Sequence, residues 1–85
     1  MQAYANKSKQ SNVRYFSAKT FPSVGAASLT VRFADKWVYI YHTRLLPLST
    51  VQHMIALAQA GQGLNSYITR NNPSYTSKQF NAWID

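Results

Sequence analysis

"LTVRFADKWVYIYH", Leu29 to His42, decides the fold. Leu29, Val31 and Phe33 alternate with Thr30 and Arg32. After the polar break Ala34-Asp35-Lys36, Trp37, Tyr39 and Tyr41 alternate with Val38 and Ile40. A period of two on both sides of the break indicates strands, because successive side chains of a strand point to opposite faces. The break is too short for a parallel crossover, so the two segments form an antiparallel hairpin with Asp35 in its turn. Leu29, Val31 and Phe33 are expected to face the core. In the second segment both faces are apolar. The expectation is that Val38 and Ile40 join the core face, leaving Arg32, Trp37, Tyr39 and Tyr41 on the other side.

Working outward, "VRYFSAKTF" (Val13 to Phe21) has strand composition with imperfect alternation and predicts a first strand over 13–19. Pro22 and Gly25 mark the following stretch as a turn or loop. Residues 1–12 are polar and without period. They read as a flexible basic arm carrying Lys7 and Lys9, or as a short edge strand that orders on binding.

Beyond His42 the period changes. Ser49 and Gln52 have the spacing of a capping box, Leu48, Val51, Met54, Ile55 and Ala58 share one helical face, and Gly61 suits the C′ position. A short second helix is predicted over 64–70, with Leu64, Tyr67 and Ile68 at i, i+3 and i+4. "NNPSY" breaks it. Thr76 and Gln79 then form a second candidate capping box, opening a terminal helix with Phe80, Trp83 and Ile84 on one face. Strands precede helices without βαβ alternation or internal repeat. The fold class is α+β, a small antiparallel sheet of about three strands with two or three helices packed on one face.

A chain of 85 residues has room for one core. Hydrophobic content of 46% with 14% aromatic residues argues for a folded domain. Nine Lys and Arg residues face only two acids, Asp35 and Asp85, for a net charge of +7. Such a surplus points to nucleic acid, an anionic membrane surface or an acidic protein patch, or else keeps an aromatic-rich chain soluble. No cysteine is present, which excludes disulfides and thiolate metal sites and agrees with a reducing cytoplasm. The N-terminus has no apolar run resembling a signal peptide, and Trp37 to Tyr41 is far too short to cross a bilayer. A cytoplasmic, soluble protein is expected.

The Tyr39-x-Tyr41 pair ending a hairpin, Pro47 opening a helix, and Gly61 followed by Leu64, Asn65 and Ile68 resemble the KTSC domain. This small module is named for the C-terminus of some lysyl-tRNA synthetases and is also found alone in bacteria and phages. Leu64 stands where the family usually has Phe, Thr69 where Arg is frequent, and the connection into Pro47 is longer than usual. The resemblance covers roughly residues 12–72. It places a basic arm at 1–12, the module at 13–72 and a helical extension at 73–85. It implies the α+β fold and no particular chemistry, with only a hint of RNA through the synthetase association.

Catalysis finds little support in the residues. Asp35 and Asp85 are too far apart in the chain's organisation to act as a carboxylate pair, no nucleophile elbow is present, and His42 and His53 lack a third metal ligand. Gly61 and Gly63 are helix-stop glycines rather than a phosphate loop. No catalytic residue, metal or cofactor is assigned. Asn65 is read as a brace for the loop between the helices. The candidate binding set is Arg32, Trp37, Tyr39 and Tyr41, rimmed by Lys7, Lys9, Arg14, Lys36 and Arg44. Rings flanked by cations suit single-stranded nucleic acid, since bases stack on rings and Lys or Arg neutralises phosphate. The same rings serve packing alone if the first strand, the arm or the terminal helix covers them. The expected partner is therefore nucleic acid or a nucleic-acid-associated protein. The alternative is an adaptor or inhibitor, of phage or mobile-element type, that grips a host or defence protein. A membrane-surface role lacks the long basic amphipathic helix it needs.

Overall fold

The computed structural model describes residues 1–7, 9 and 11–80. Five strands, β1 (Gln2–Ala3), β2 (Val13–Phe21), β3 (Ala26–Phe33), β4 (Trp37–His42) and β5 (Ser77–Phe80), form one antiparallel sheet in that spatial order. Two helices, α1 (Leu48–Ala60) and α2 (Leu64–Asn71), complete the α+β fold. The sheet is larger than the expected three strands because both chain ends contribute one.

The imperfect alternation of the first long strand has a structural cause. Val13 and Phe16 are both buried although three residues apart, and the β2–β3 register shifts between Val13 and Tyr15. A bulge there absorbs the extra residue and returns Phe16 to the inner face. β2 then runs to Phe21, beyond the expected end, and Gly25 at φ 63° turns the chain into β3.

The β3–β4 hairpin corrects the assignment of faces. Leu29 pairs with Tyr41, Val31 with Tyr39 and Arg32 with Val38. Trp37, Tyr39 and Tyr41 thus share the face of Leu29 and Val31, while Val38 and Ile40 lie on the other with Arg32. The turn explains why. Lys36 N–H donates to Phe33 O at 3.0 Å, Lys36 adopts φ 71°, and Asp35 Oδ1 accepts from Trp37 N–H at 3.1 Å. This is a three-residue loop ending in a left-handed residue. A loop of three residues leaves Phe33 and Trp37 on the same side, so all the odd-numbered residues of both strands point one way.

That inner face receives the helices. α1 packs against β3 through Val51, Met54, Ile55 and Ala58, all buried, and α2 sets Leu64 into the same core beside Val13, Leu29, Val31 and Tyr41. Gly61 ends α1 at φ 74°, its N–H donating to Leu57 O and Ala58 O. The expected Ser49–Gln52 capping box does not form: Pro47 occupies the N-cap, without a side-chain cap, and Ser49 already lies within the helix.

Two further expectations are corrected at the chain ends. Of the two readings of the N-terminal residues, the short edge strand describes them and the free arm does not. β1 pairs with β2, Tyr4 is buried, its hydroxyl accepts from Leu64 N–H at 3.4 Å, and Lys7 N–H donates to Gly61 O at 2.8 Å. One aromatic ring in a polar segment is enough to anchor it. At the other end, the terminal helix from Thr76 is instead β5. Thr76 N–H donates to Ile40 O, and Ile40, Tyr39, Val38 and Trp37 pair with Ser77, Lys78, Gln79 and Phe80. β4 offers an unpaired edge, and satisfying its backbone groups outweighs a weak helical pattern. Trp83 and Ile84 lie outside the described residues.

Candidate functional site

The inner face of the sheet is only partly covered by the helices. Toward the β4–β5 edge it is floored by aromatic rings. Tyr39 and Tyr41 lie nearly parallel, with centroids 6.4 Å apart. Phe33 meets Tyr39 edge-on at 5.3 Å, and Tyr75 does so at 4.9 Å. Edge-to-face pairs of this kind contribute about 0.5–1.5 kcal/mol each beyond their buried area. Tyr75 lies in the short segment between the left-handed Asn72 cap of α2 and β5, which sets its ring against Tyr39. Ile68, Asn72 and Pro73, at the end of α2, form the opposite wall. Together these residues enclose a half-open cleft of about 220 Å³.

The rings differ in access. Tyr41 is sealed in the core at 2% exposure, Tyr39 and Trp37 are half-buried, and Tyr75 is 45% exposed. Burial, with the Tyr39 and Tyr75 phenols beside it, pushes the Tyr41 hydroxyl well above the ordinary tyrosine value. Tyr41 is thus a neutral floor. Tyr39 and Tyr75 are the reachable walls.

Lys78 supplies the charge. Its ammonium sits 4.7 Å from the Trp37 ring centroid and 5.2 Å from that of Tyr39, and Phe80 closes on Trp37 at 5.4 Å. The β4–β5 register fixes this geometry, since Lys78 is paired directly with Tyr39. A hydrogen bond with the Tyr39 phenol favours the charged ammonium and raises Lys78 above the ordinary lysine value. Lys36, half-buried in the hairpin turn, flanks Trp37 from the chain. One acid is close: Asp35, in the same turn, also favours the charged Lys78.

The residues singled out in the sequence separate into three places. Trp37, Tyr39, Tyr41 and Lys36 come together at this corner. Arg32 does not join them. It lies on the opposite face, 3% exposed, with its guanidinium 5.5 Å from the Tyr15 ring, so the expected Arg32–ring platform is not formed. Lys7, Lys9 and Arg14 belong to the β1–β2 side, across the sheet from β5, and do not rim the rings. Arg14 there donates to Ser11 O at 2.7 Å. Arg44 is exposed just past β4, its N–H donating to His42 Nδ1. Asn65 follows Leu64 in the first turn of α2 and is half-buried.

Sequence reasoning missed Lys78, Tyr75, Asn72 and Phe33 as members of the site. The parity of the three-residue turn was the available signal for Phe33. For Lys78, assignment of its segment to a helix hid its alternation with Phe80 on the face of Trp37 and Tyr39. Among the described residues no cluster of three or more His, Cys, Asp or Glu side chains could hold a metal ion, and no helix is long and apolar enough to cross a membrane. Comparison with protein-family models, with curated proteins and with solved structures finds no match to the chain.

Proposed function

We propose that the chain is a small non-catalytic binding domain, of the KTSC type, that holds single-stranded nucleic acid at the aromatic cleft. The observation that carries this reading is the Lys78 ammonium poised over Trp37 and Tyr39 beside a cleft walled by Tyr39 and Tyr75. A base entering the cleft stacks on a phenol ring, and the phosphate that follows it meets Lys78, with Lys36 behind. A volume of about 220 Å³ lies below the range of about 300–1,000 Å³ usual for drug-sized ligands and cofactors. It suits one base rather than a dinucleotide. The net charge of +7 supplies long-range attraction to a polyanion. A duplex keeps its bases stacked and offers the cleft nothing, so single strands are favoured. The absence of cysteine agrees with a cytoplasmic setting.

Filter binding of single-stranded and duplex DNA and RNA across a salt series tests the reading. Two or three phosphate contacts at one corner give a log–log slope of about −1.4 to −2, at roughly −0.7 per contact for single strands. A slope near −6 would mean that all nine basic residues act as a diffuse cloud. Undetectable binding at low salt removes the proposal. One observation favours a second reading, a protein adaptor: Phe80 at 56% exposure and Tyr75 at 45% present aromatic surface beside a sheet edge. A partner captured from nuclease-treated lysate through Phe80 would support it.

A further inference from the structure

The stretch "FPSVG", Phe21 to Gly25, joins β2 to β3 and is exposed throughout, although it carries Phe, Pro and Val. Its 3₁₀ turn, Pro22–Val24, buries no side chain, and nothing lies within 4 Å of a Cβ built on Gly25. Val24 is 74% exposed and Phe21 43%. The loop after β4 emerges beside this tip. Phe21 pairs with Ala26, and the next residue, Ala27, is tied to Thr43: Thr43 N–H donates to Ala27 O at 3.1 Å, and Ala27 N–H donates to Thr43 Oγ1 at 3.3 Å. Two residues on, Leu45 is 55% exposed. One end of the sheet thus presents Phe21, Val24 and Leu45 to solvent from two adjoining loops. Exposed Lys19, on β2, and exposed Arg44, next to Leu45, flank them. Asp35, the one acid among the described residues, lies in the β3–β4 turn at the opposite end.

We infer that this end of the molecule inserts into the interface of an anionic lipid membrane. None of its residues lines the aromatic cleft, so the inference stands apart from the nucleic-acid reading. α1 carries no Lys or Arg and is not the basic amphipathic helix of many membrane-surface proteins. Two loops supply the apolar residues instead. Single exposed apolar residues are ordinary. Three at one end, with cations behind them and no acid, match the layering of a bilayer surface. The apolar side chains enter the acyl boundary while Lys19 and Arg44 stay among anionic headgroups. The main chain of the tip suits that depth: Pro22 has no N–H, and Gly25 N–H donates to Pro22 O at 3.3 Å. Charge argues against a second copy as the occupant. Two copies meeting tip to tip bring Lys19 and Arg44 against their equivalents, on chains that each carry +7.

Sedimentation of the full chain with vesicles tests this, using equal parts phosphatidylserine and phosphatidylcholine against phosphatidylcholine alone. The parent binds the mixed vesicles and not the neutral ones. A net charge of +7 favours adsorption to anionic vesicles by itself, so the deciding variants change apolar side chains. Val24→Ser and Leu45→Ser each weaken binding to the mixed vesicles about tenfold, equivalent to about 1.4 kcal/mol, and keep the melting temperature of the parent. Lys19→Ala and Arg44→Ala each weaken it about fivefold, equivalent to about 1 kcal/mol, whereas Lys7→Ala, on the β1 side, stays close to the parent. Apolar variants that bind as the parent does reduce the contact to charge and overturn the inference. Absence of binding to the mixed vesicles overturns it too, as does self-association that Val24→Ser abolishes, which assigns the tip to a second copy. Tyr75→Ala leaves vesicle binding unchanged, so this inference and the nucleic-acid reading fail separately.

Discussion

Replacing Gly61 by alanine should cost far more than replacing Gly25, although both glycines adopt left-handed φ, 74° and 63°. The backbone contribution is shared, about 1–2 kcal/mol for placing an L-residue in that region. At Gly25 nothing lies within 4 Å of the added Cβ, so that contribution is the whole effect. At Gly61 the new Cβ runs into the Cβ of Ala5, which is fixed to the backbone and has no rotamer to retreat to. Ala5 sits between Tyr4 and Lys7, so its retreat strains the Tyr4 hydroxyl contact with Leu64 N–H and the Lys7 bond to Gly61 O, and draws Tyr4 from the core. Complete loss of a buried aromatic costs about 3–5 kcal/mol, which sets the ceiling of this second contribution. The total for Gly61→Ala is about 3–5 kcal/mol against about 1–2 kcal/mol for Gly25→Ala. For a domain of this size each kcal/mol lowers the melting temperature by about 4–8 °C. Urea denaturation and thermal melts followed by circular dichroism measure both. A double-mutant cycle with Tyr4→Ala locates the cause, because Gly61→Ala should then cost little more than Gly25→Ala. Equal costs at the two glycines in the parent chain would refute the docked N-terminus, and with it the argument that Lys7 and Lys9 are held away from the cleft.

Lys36→Gly should stabilise the protein by about 1 kcal/mol in urea denaturation, because a non-glycine residue there sits at φ 71° in the hairpin turn. A lower urea midpoint would show that Lys36 side-chain contacts outweigh the backbone strain. The buried Tyr41 hydroxyl should be the last phenol to ionise in a spectrophotometric alkaline titration. Its folded value is raised, so the native state keeps its proton where the unfolded chain has lost it. This contribution is fully present below about pH 10 and declines as pH rises above that value. Stability that grows through that alkaline range in Tyr41-containing protein and not in Tyr41→Phe would contradict the assignment.

The parts of the fold legible in the sequence are those with a strong local period. The 29–42 hairpin, the apolar face of α1 and its stop at Gly61 need only residue spacing and one left-handed glycine. The parts that escaped depend on partners distant in sequence. β4 is apolar on both faces, so hydropathy alone does not orient it, and the decisive cue is the odd length of the Ala34–Lys36 turn. β5 is four residues, mostly polar, and exists because the β4 edge needs a partner. Its expected helical triplet ran through Phe80, which instead closes on Trp37. Tyr4 has only Ala3 and Ala5 beside it and no periodic pattern to announce it, yet it is buried and its hydroxyl meets Leu64 N–H. The site follows the same division: its hairpin half is legible from local alternation, whereas Lys78 arrives on β5, whose segment has a helical spacing, and Tyr75 arrives on the "NNPSY" break just before it.

The most direct measurement is the affinity of Tyr75→Ala for a short single-stranded oligonucleotide, beside a Lys7→Ala/Lys9→Ala variant as the far-edge control. Tyr75 is 45% exposed, so the fold should survive its truncation. Loss of one stacking ring predicts a decrease of about 5- to 150-fold, the equivalent of about 1–3 kcal/mol per stacked base, with the control close to the parent. Binding unchanged in Tyr75→Ala and abolished in the control would contradict the account, placing recognition on the β1–β2 edge instead of the cleft.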